Sequence, residues 1–259
     1  MLALKAHKLD AWFDGEGLRA ADPRIQPTNI SCELSSKSTQ ISGAGRDGRS
    51  RRAVKRDCIR VTITFTIYEQ KDVYGRETAL ERANAWARDG YLEISLKRDR
   101  RLYVNCVTRA GIKKARDYTE EFSLVFESAE SPFWEDRTST LYNLAGTEIN
   151  RNVSVPGTRE TAPANVAIMP TGGTLQTLTL RLGSTAMYFT GLGVEVGSAL
   201  IIDHDENGYL RIMAGSVSKY RCRNGLSSDE LTCPPGVQTV GFTANVACAA
   251  EFSVRGRYE

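Results

Sequence analysis

Residues 58–68, CIRVTITFTIY, constrain this chain more than any other stretch. Ile59, Val61, Ile63, Phe65 and Ile67 fall on one side; Arg60, Thr62, Thr64, Thr66 and Tyr68 fall on the other. Alternation held over eleven residues, β-branched almost throughout, predicts a strand with one face on a core. The other face is left for solvent or a partner.

The segments around it extend this reading. Residues 74–88 predict a helix, because Ala79, Leu80, Ala83, Trp86 and Ala87 make one apolar stripe. Gly90 is expected to stop it as a C-cap glycine. Strands are expected at 1–7, 29–35, 91–95, 102–108 and 121–127, the last with Phe122, Leu124 and Phe126 alternating. One helix among several strands implies an α+β N-terminal domain, with the helix on an antiparallel sheet. The segment SPFWED, 131–136, closes this half, and Phe133 and Trp134 are expected to pack the domain junction.

From about residue 141 helix signals vanish, and threonine, valine and glycine dominate. Short strands are expected at 153–155, 165–169, 175–182, 187–190, 198–203, 209–213, 237–242 and 248–255, which argues for a β-sandwich. The chain is therefore read as mainly β, with domains at 1–138 and 139–259. At 259 residues each half is long enough to bury its own core.

Composition narrows the function. A net charge of +3 gives no global pull toward nucleic acid or an anionic membrane. No apolar run approaches the roughly 18 to 20 residues that span a bilayer, so membrane insertion is not expected. Lys5, His7, Lys8 and Asp10 interrupt the N-terminus, so the expectation is a protein made in a cytosol and not exported by a signal peptide. None of the six cysteines forms a C-x-x-C pair. Cys222 and Cys233 bracket a polar loop that a disulfide can close in oxidising surroundings; reduced thiols are the expectation for a cytosolic product.

The chemical motifs are weak. Gly43-Ala-Gly45-Arg-Asp-Gly48 has the letters of a dinucleotide fingerprint, but no helix follows to meet a pyrophosphate. Residues 203–208, DHDENG, open like a calcium loop, yet the twelfth position is Ala214 and strands flank it. Asn207-Gly208 instead predicts a hairpin turn. His7 and His204 have neither metal-ligand spacing nor a nucleophile partner. Glu120 with Glu121, and Glu135 with Asp136, are adjacent acids that a strand points to opposite faces. No catalytic, metal or cofactor-binding residue is assigned, and the chain is not expected to be an enzyme.

One segment stands out. Residues 41–56, ISGAGRDGRSRRAVKR, combine glycines with dense positive charge. From 45 to 60 seven basic residues (Arg46, Arg49, Arg51, Arg52, Lys55, Arg56 and Arg60) face two acidic ones, Asp47 and Asp57. It reads as an extended arm or a long hairpin tip. Nucleic-acid binding would call for interleaved aromatics, and none lies between Phe13 and Phe65. A solvated loop is the plain alternative. The favoured reading is an arm laid on the acidic surface of a neighbouring subunit, since arginine suits interfacial ion pairs.

The order of these features resembles the distal tail protein, Dit, of long-tailed siphophages and prophages. A strand pair leads into a glycine- and arginine-bearing arm. Then come CIRVTITFTIY, the helix ALERANAWAR, a hairpin, and FSLVFESAESPFWED. GSALIIDHDENGYLRI and PPGVQTVGFTANVACAAEFSVRGRY look like that family's closing pattern. The resemblance implies a virion structural protein of the tail tip, assembled in the host cytoplasm. It implies a hexameric ring that joins the tail tube to the tail-tip hub or tail-associated lysin, and so to the baseplate. The arm would reach onto the next subunit and a galectin-like sandwich would project outward. It also implies contact with receptor-binding or side-fibre proteins, and DNA only in passage through the lumen. The polar insertion 214–234 departs from the pattern. The alternative function is a carbohydrate-binding module for host-surface glycans. Its second-half aromatics are few (Tyr142, Tyr188, Phe189, Tyr209, Tyr220, Phe242, Phe252 and Tyr258), so sugar binding is expected to be weak or lost.

Overall fold

The structure, a computed structural model, describes residues 9–42, 49–68, 73–111, 121–129, 131–158, 162–204 and 209–258, with only the backbone along 35–42 and 49–57 and at 73, 162 and 163. The strand expected at 1–7 and the turn Asn207-Gly208 lie outside the described residues. The chain divides into two compact units, Met1–Trp134 and Glu135–Glu259. The boundary expected near 138 falls a few residues inside the second.

The first unit runs β1 (Ala11–Phe13), β2 (Glu16–Gly17), α1 (Leu18–Ala21), β3 (Ile25–Ser42), β4 (Arg49–Ile67), α2 (Val73–Trp86), β5 (Gly90–Ile94), β6 (Lys97–Thr108) and β7 (Glu121–Ser128). These strands form an antiparallel sheet in the order β2-β1-β5-β6-β7-β4-β3. The alternation of 58–68 is realised in β4: Ile59, Val61, Ile63, Phe65 and Ile67 are all buried, while Arg60 and Tyr68 are exposed and Thr62, Thr64 and Thr66 half-buried. Burying five such side chains is worth on the order of 10 kcal/mol. Phe65 stacks on Phe122 of the neighbouring β7, ring centres 5.7 Å apart.

The helix stripe is realised as well. Ala79, Leu80, Ala83, Trp86 and Ala87 are buried. Trp86 meets Phe13 at 4.9 Å and Phe126 at 6.3 Å, and its indole N–H donates to the Glu16 carbonyl at 2.8 Å. Gly90 does not cap α2. It opens β5 opposite Val104 with φ +142°, a conformation that suits a glycine, and Arg88 and Asp89 separate it from the helical turn. The glycine serves the start of a strand, where the sequence suggested the end of a helix.

Asp22, after α1, is fully buried and ties the corner together. Its carboxylate accepts from Arg24 at 2.7 and 2.8 Å and from Arg82 of α2 at 3.0 Å. These guanidinium bonds, those of Arg24 first, hold its pKa at about 2. Trp134 ends this unit, 1% exposed, with the Lys97 ammonium 5.4 Å above its ring. Phe133 before it is half-buried. The Trp134 ring face is therefore closed to a sugar.

After β8 (Trp134–Asp136), the second unit contains β9 (Thr140–Val155), β10 (Ala162–Pro170), β11 (Leu175–Leu182), β12 (Thr185–Val194), β13 (Leu200–His204), β14 (Leu210–Ala214), β15 (Val217–Ser218), β16 (Thr232–Cys233), β17 (Gly236–Val254) and β18 (Arg257–Tyr258). Two long strands organise it. β9 pairs along nearly all of β17. On its other edge β17 pairs first with β11, through 240–244, and then with β10, through 248–254. The change of neighbour falls at a register shift between Thr243 and Cys248. There Asn245 substitutes for the ladder, accepting from the Gln176 and Thr177 N–H groups at 2.8 and 3.0 Å and donating to the Thr174 carbonyl at 3.2 Å. The two halves of β17 thus belong to two layers, and Val240, Phe242, Phe252 and Val254 enter one core with Leu178, Leu180, Phe189, Ile168 and Ile202. This is a β-sandwich, and the whole chain is mainly β.

The sequence suggested two separate strands where β17 runs unbroken, and only residues 153–155 where β9 spans sixteen. In β9 only Leu144, Val153 and Val155 are buried, so alternation has little to report. Gly241 lets the two strands approach; a Cβ there would collide with the Ile149 carbonyl oxygen. β13 and β14 pair antiparallel around 205–208, and Asp203 is bonded by Arg211 at 2.8 and 2.6 Å rather than left open for a cation. Cys222 and Cys233 are free thiols; Cys233 is fully buried, and burial pushes its pKa up to about 11.

Candidate subunit interface

The basic segment is built on β3 and β4. β4 is held between two neighbours only over 60–66, where β7 pairs with it from Glu127 to Glu121. Beyond that, the Ile59 N–H donates to the Ser128 hydroxyl at 2.9 Å. From there outward β3 is the partner of β4 among the described residues, through Ser36–Arg56, Lys37–Lys55, Thr39–Ala53, Gln40–Arg51 and Ser42–Arg49. The result is a two-stranded ribbon that continues past the sheet edge. At about 3.4 Å per residue, 49–57 carries it roughly 25 to 30 Å. A register shift between Leu34 and Ser36 sits where it leaves the sheet, the position at which a bulge re-aims a strand pair.

Of the residues expected at an interface, Arg49, Arg51, Arg52, Lys55 and Arg56 all belong to this ribbon. Arg46 lies outside the described residues. The register sets Lys37 directly opposite Lys55, an arrangement that like charges disfavour on an isolated hairpin. Arg60 is placed differently. It lies in the sheet proper, and its guanidinium donates to Glu127 of β7, with Nε at 3.0 Å. Glu33 lies across from it on β3, so Glu33, Arg60 and Glu127 form a row of alternating sign. The bond to the Glu127 carboxylate holds Arg60 still more firmly protonated. Thr62 and Thr64 continue this outer face beside Ser31, Val125, Asn29 and Ser123.

The sequence left an extended arm or a long hairpin tip open for this segment, but not the register of its pairing with β3, since ISGAGRDGRSRRAVKR carries no alternation. Its strand order comes from backbone pairing with β3, which apolar periodicity does not report.

No model of a protein family matches the chain, and no curated protein matches it. Among solved structures, the chain is similar to the Dit protein of phage SPP1, described as a hub adsorption apparatus protein of phages that infect Gram-positive bacteria. The TM-score is 0.71 at 13% identity, covering 95% of this chain and 98% of that one. The chain has the Dit fold. It is also similar to chains of the phage p2 baseplate in its activated conformation, with strontium and with calcium. Their TM-scores are 0.46 and 0.47 at 10% and 11% identity, each covering 96% of this chain and 97% of that one. The assignment of the Dit fold rests on the first comparison.

Proposed function

We propose that this protein is a structural component of a phage tail tip, a distal tail protein that closes into a ring, hexameric in this reading. The ring joins the tail tube on one side to the tail-tip hub or tail-associated lysin on the other. The observation that carries the proposal is the β3–β4 ribbon. A lone two-stranded ribbon is at best marginally stable in water, and this one is dense in arginine and lysine. An acidic surface on a neighbouring copy supplies what it lacks. One heterologous contact repeated around an axis closes a ring. The Dit fold agrees with this reading. The site of action is the virion, after assembly in the host cytoplasm, with DNA passing through the lumen and receptor-binding or side-fibre proteins as further partners.

Native mass spectrometry and negative-stain imaging test it. Wild-type protein is expected as closed rings, with the ribbon resistant to trypsin. The Arg49→Glu, Arg51→Glu, Arg52→Glu triple variant is expected as a folded monomer. A wild-type chain that stays monomeric at high concentration, with the ribbon cut freely, would end the proposal.

A further inference from the structure

The insertion 214–234 is not a free loop. Residues 223–228 lie along the outer edge of β12: Phe189 bridges Arg223, the Asn224 N–H donates to the Tyr188 carbonyl at 2.8 Å, and the Ser228 N–H to the Ala186 carbonyl at 2.8 Å. The Ser227 hydroxyl accepts from the Tyr188 N–H at 2.9 Å. Leu231 anchors the far end in the core, fully buried. The segment covers a strand edge that would otherwise be open. It also raises a wall beside the sheet.

That wall closes a groove of about 510 Å³ across the outer face of β12, β11 and the first half of β17. The register sets Tyr188, Thr179 and Thr243 in one row, with Thr190 and Thr177 in the next. Their five hydroxyls have no hydrogen-bond partner among the described residues. Asn224 uses its side-chain oxygen on the Leu226 N–H at 3.0 Å, which leaves its amide N–H groups to donate. Leu226 stands on the rim, 84% exposed. No charged residue lines the groove.

We propose that this groove binds a neutral saccharide. A pyranose presents apolar C–H patches and a ring of hydroxyls. The patches suit the Tyr188 ring and Leu226; the hydroxyls suit the unpartnered threonines and the Asn224 amide. An anionic polymer or nucleic acid would require cations that the lining lacks. A peptide adding as a strand would require the β12 edge, which residues 223–228 occupy. Aromatic counting missed the site because one tyrosine is enough here. The other half of it comes from a segment 36 residues further along the chain, brought beside Tyr188 only by folding.

The test uses the full chain with short oligomers of glucose, galactose, rhamnose and N-acetylglucosamine, and heparin as a polyanion control. Saturation-transfer NMR and calorimetry are the readouts. At least one neutral oligomer is expected to bind and heparin not to. Tyr188→Ala should weaken binding tenfold or more, and Thr179→Val with Thr243→Val severalfold. Circular dichroism and melting check that each variant folds. Should Tyr188→Ala fail to fold, Leu226→Ser at the exposed rim replaces it and is expected to weaken binding severalfold. Absence of binding by every neutral oligomer, stronger binding of heparin, or affinity unchanged in the groove variants would each overturn the proposal. Ring assembly is unaffected in every case, so this result and that of the ribbon experiment are read independently.

Discussion

Replacing Asp22 by asparagine tests how the corner of the first unit is held. The Asp22 carboxylate is fully buried and receives three guanidinium bonds, from Arg24 and Arg82. They lower its pKa from 3.8 to about 2. At 1.36 kcal/mol per unit this corresponds to about 2.4 kcal/mol. The Arg82 side chain is 55% exposed, which screens its share, so about 1.5 to 2.5 kcal/mol is expected for Asp22→Asn at pH 7. The folded pKa lies below the unfolded one. The stabilisation is therefore complete above about pH 4 and is lost as pH falls toward 2. All three tryptophans, Trp12, Trp86 and Trp134, belong to the first unit, so urea unfolding followed by tryptophan emission reads that unit alone. Wild type and Asp22→Asn should differ by the stated amount at pH 7 and converge between pH 4 and pH 2. A difference below about 0.5 kcal/mol at pH 7, or one that stays constant down to pH 2, would refute an ionic clamp at this corner.

Three further substitutions probe the β framework. On β4, Phe65→Ala should cost about 3 to 5 kcal/mol by the same tryptophan assay, and Thr64→Ala on the opposite face under about 0.5 kcal/mol; equal costs would mean the two faces are not distinguished. In the second unit, Gly241→Ala places a methyl against the β9 backbone, so limited proteolysis should cleave 135–259 while leaving the first unit intact, and unchanged protection would show that β9 can move aside.

The interface and the groove differ in how far they could be read without coordinates. The charge of 41–56 is a property of composition and is visible at once. The register of its pairing is not, because backbone hydrogen bonding between β3 and β4 leaves no apolar pattern in the sequence of the segment. The groove was less legible still. Threonine hydroxyls on a sheet face look like any solvated strand until the register aligns them, and Asn224 and Leu226 reach them only through the docking of 223–228 on β12.

What the sequence alone determined is the set of elements that bury one face: β4, α2, β7 and β11, where side chains at period 2 or 3.6 must turn apolar groups to a core. Tertiary structure decided the rest. β9 is long because β17 pairs with it, not because it is apolar. β17 serves two layers because Asn245 satisfies the backbone where the neighbouring strand changes. Gly90 belongs to a strand because Val104 lies opposite it. Hydrophobic periodicity records burial, and burial is local enough to be written residue by residue. Strand partnership is a relation between distant segments, settled only when their backbones meet.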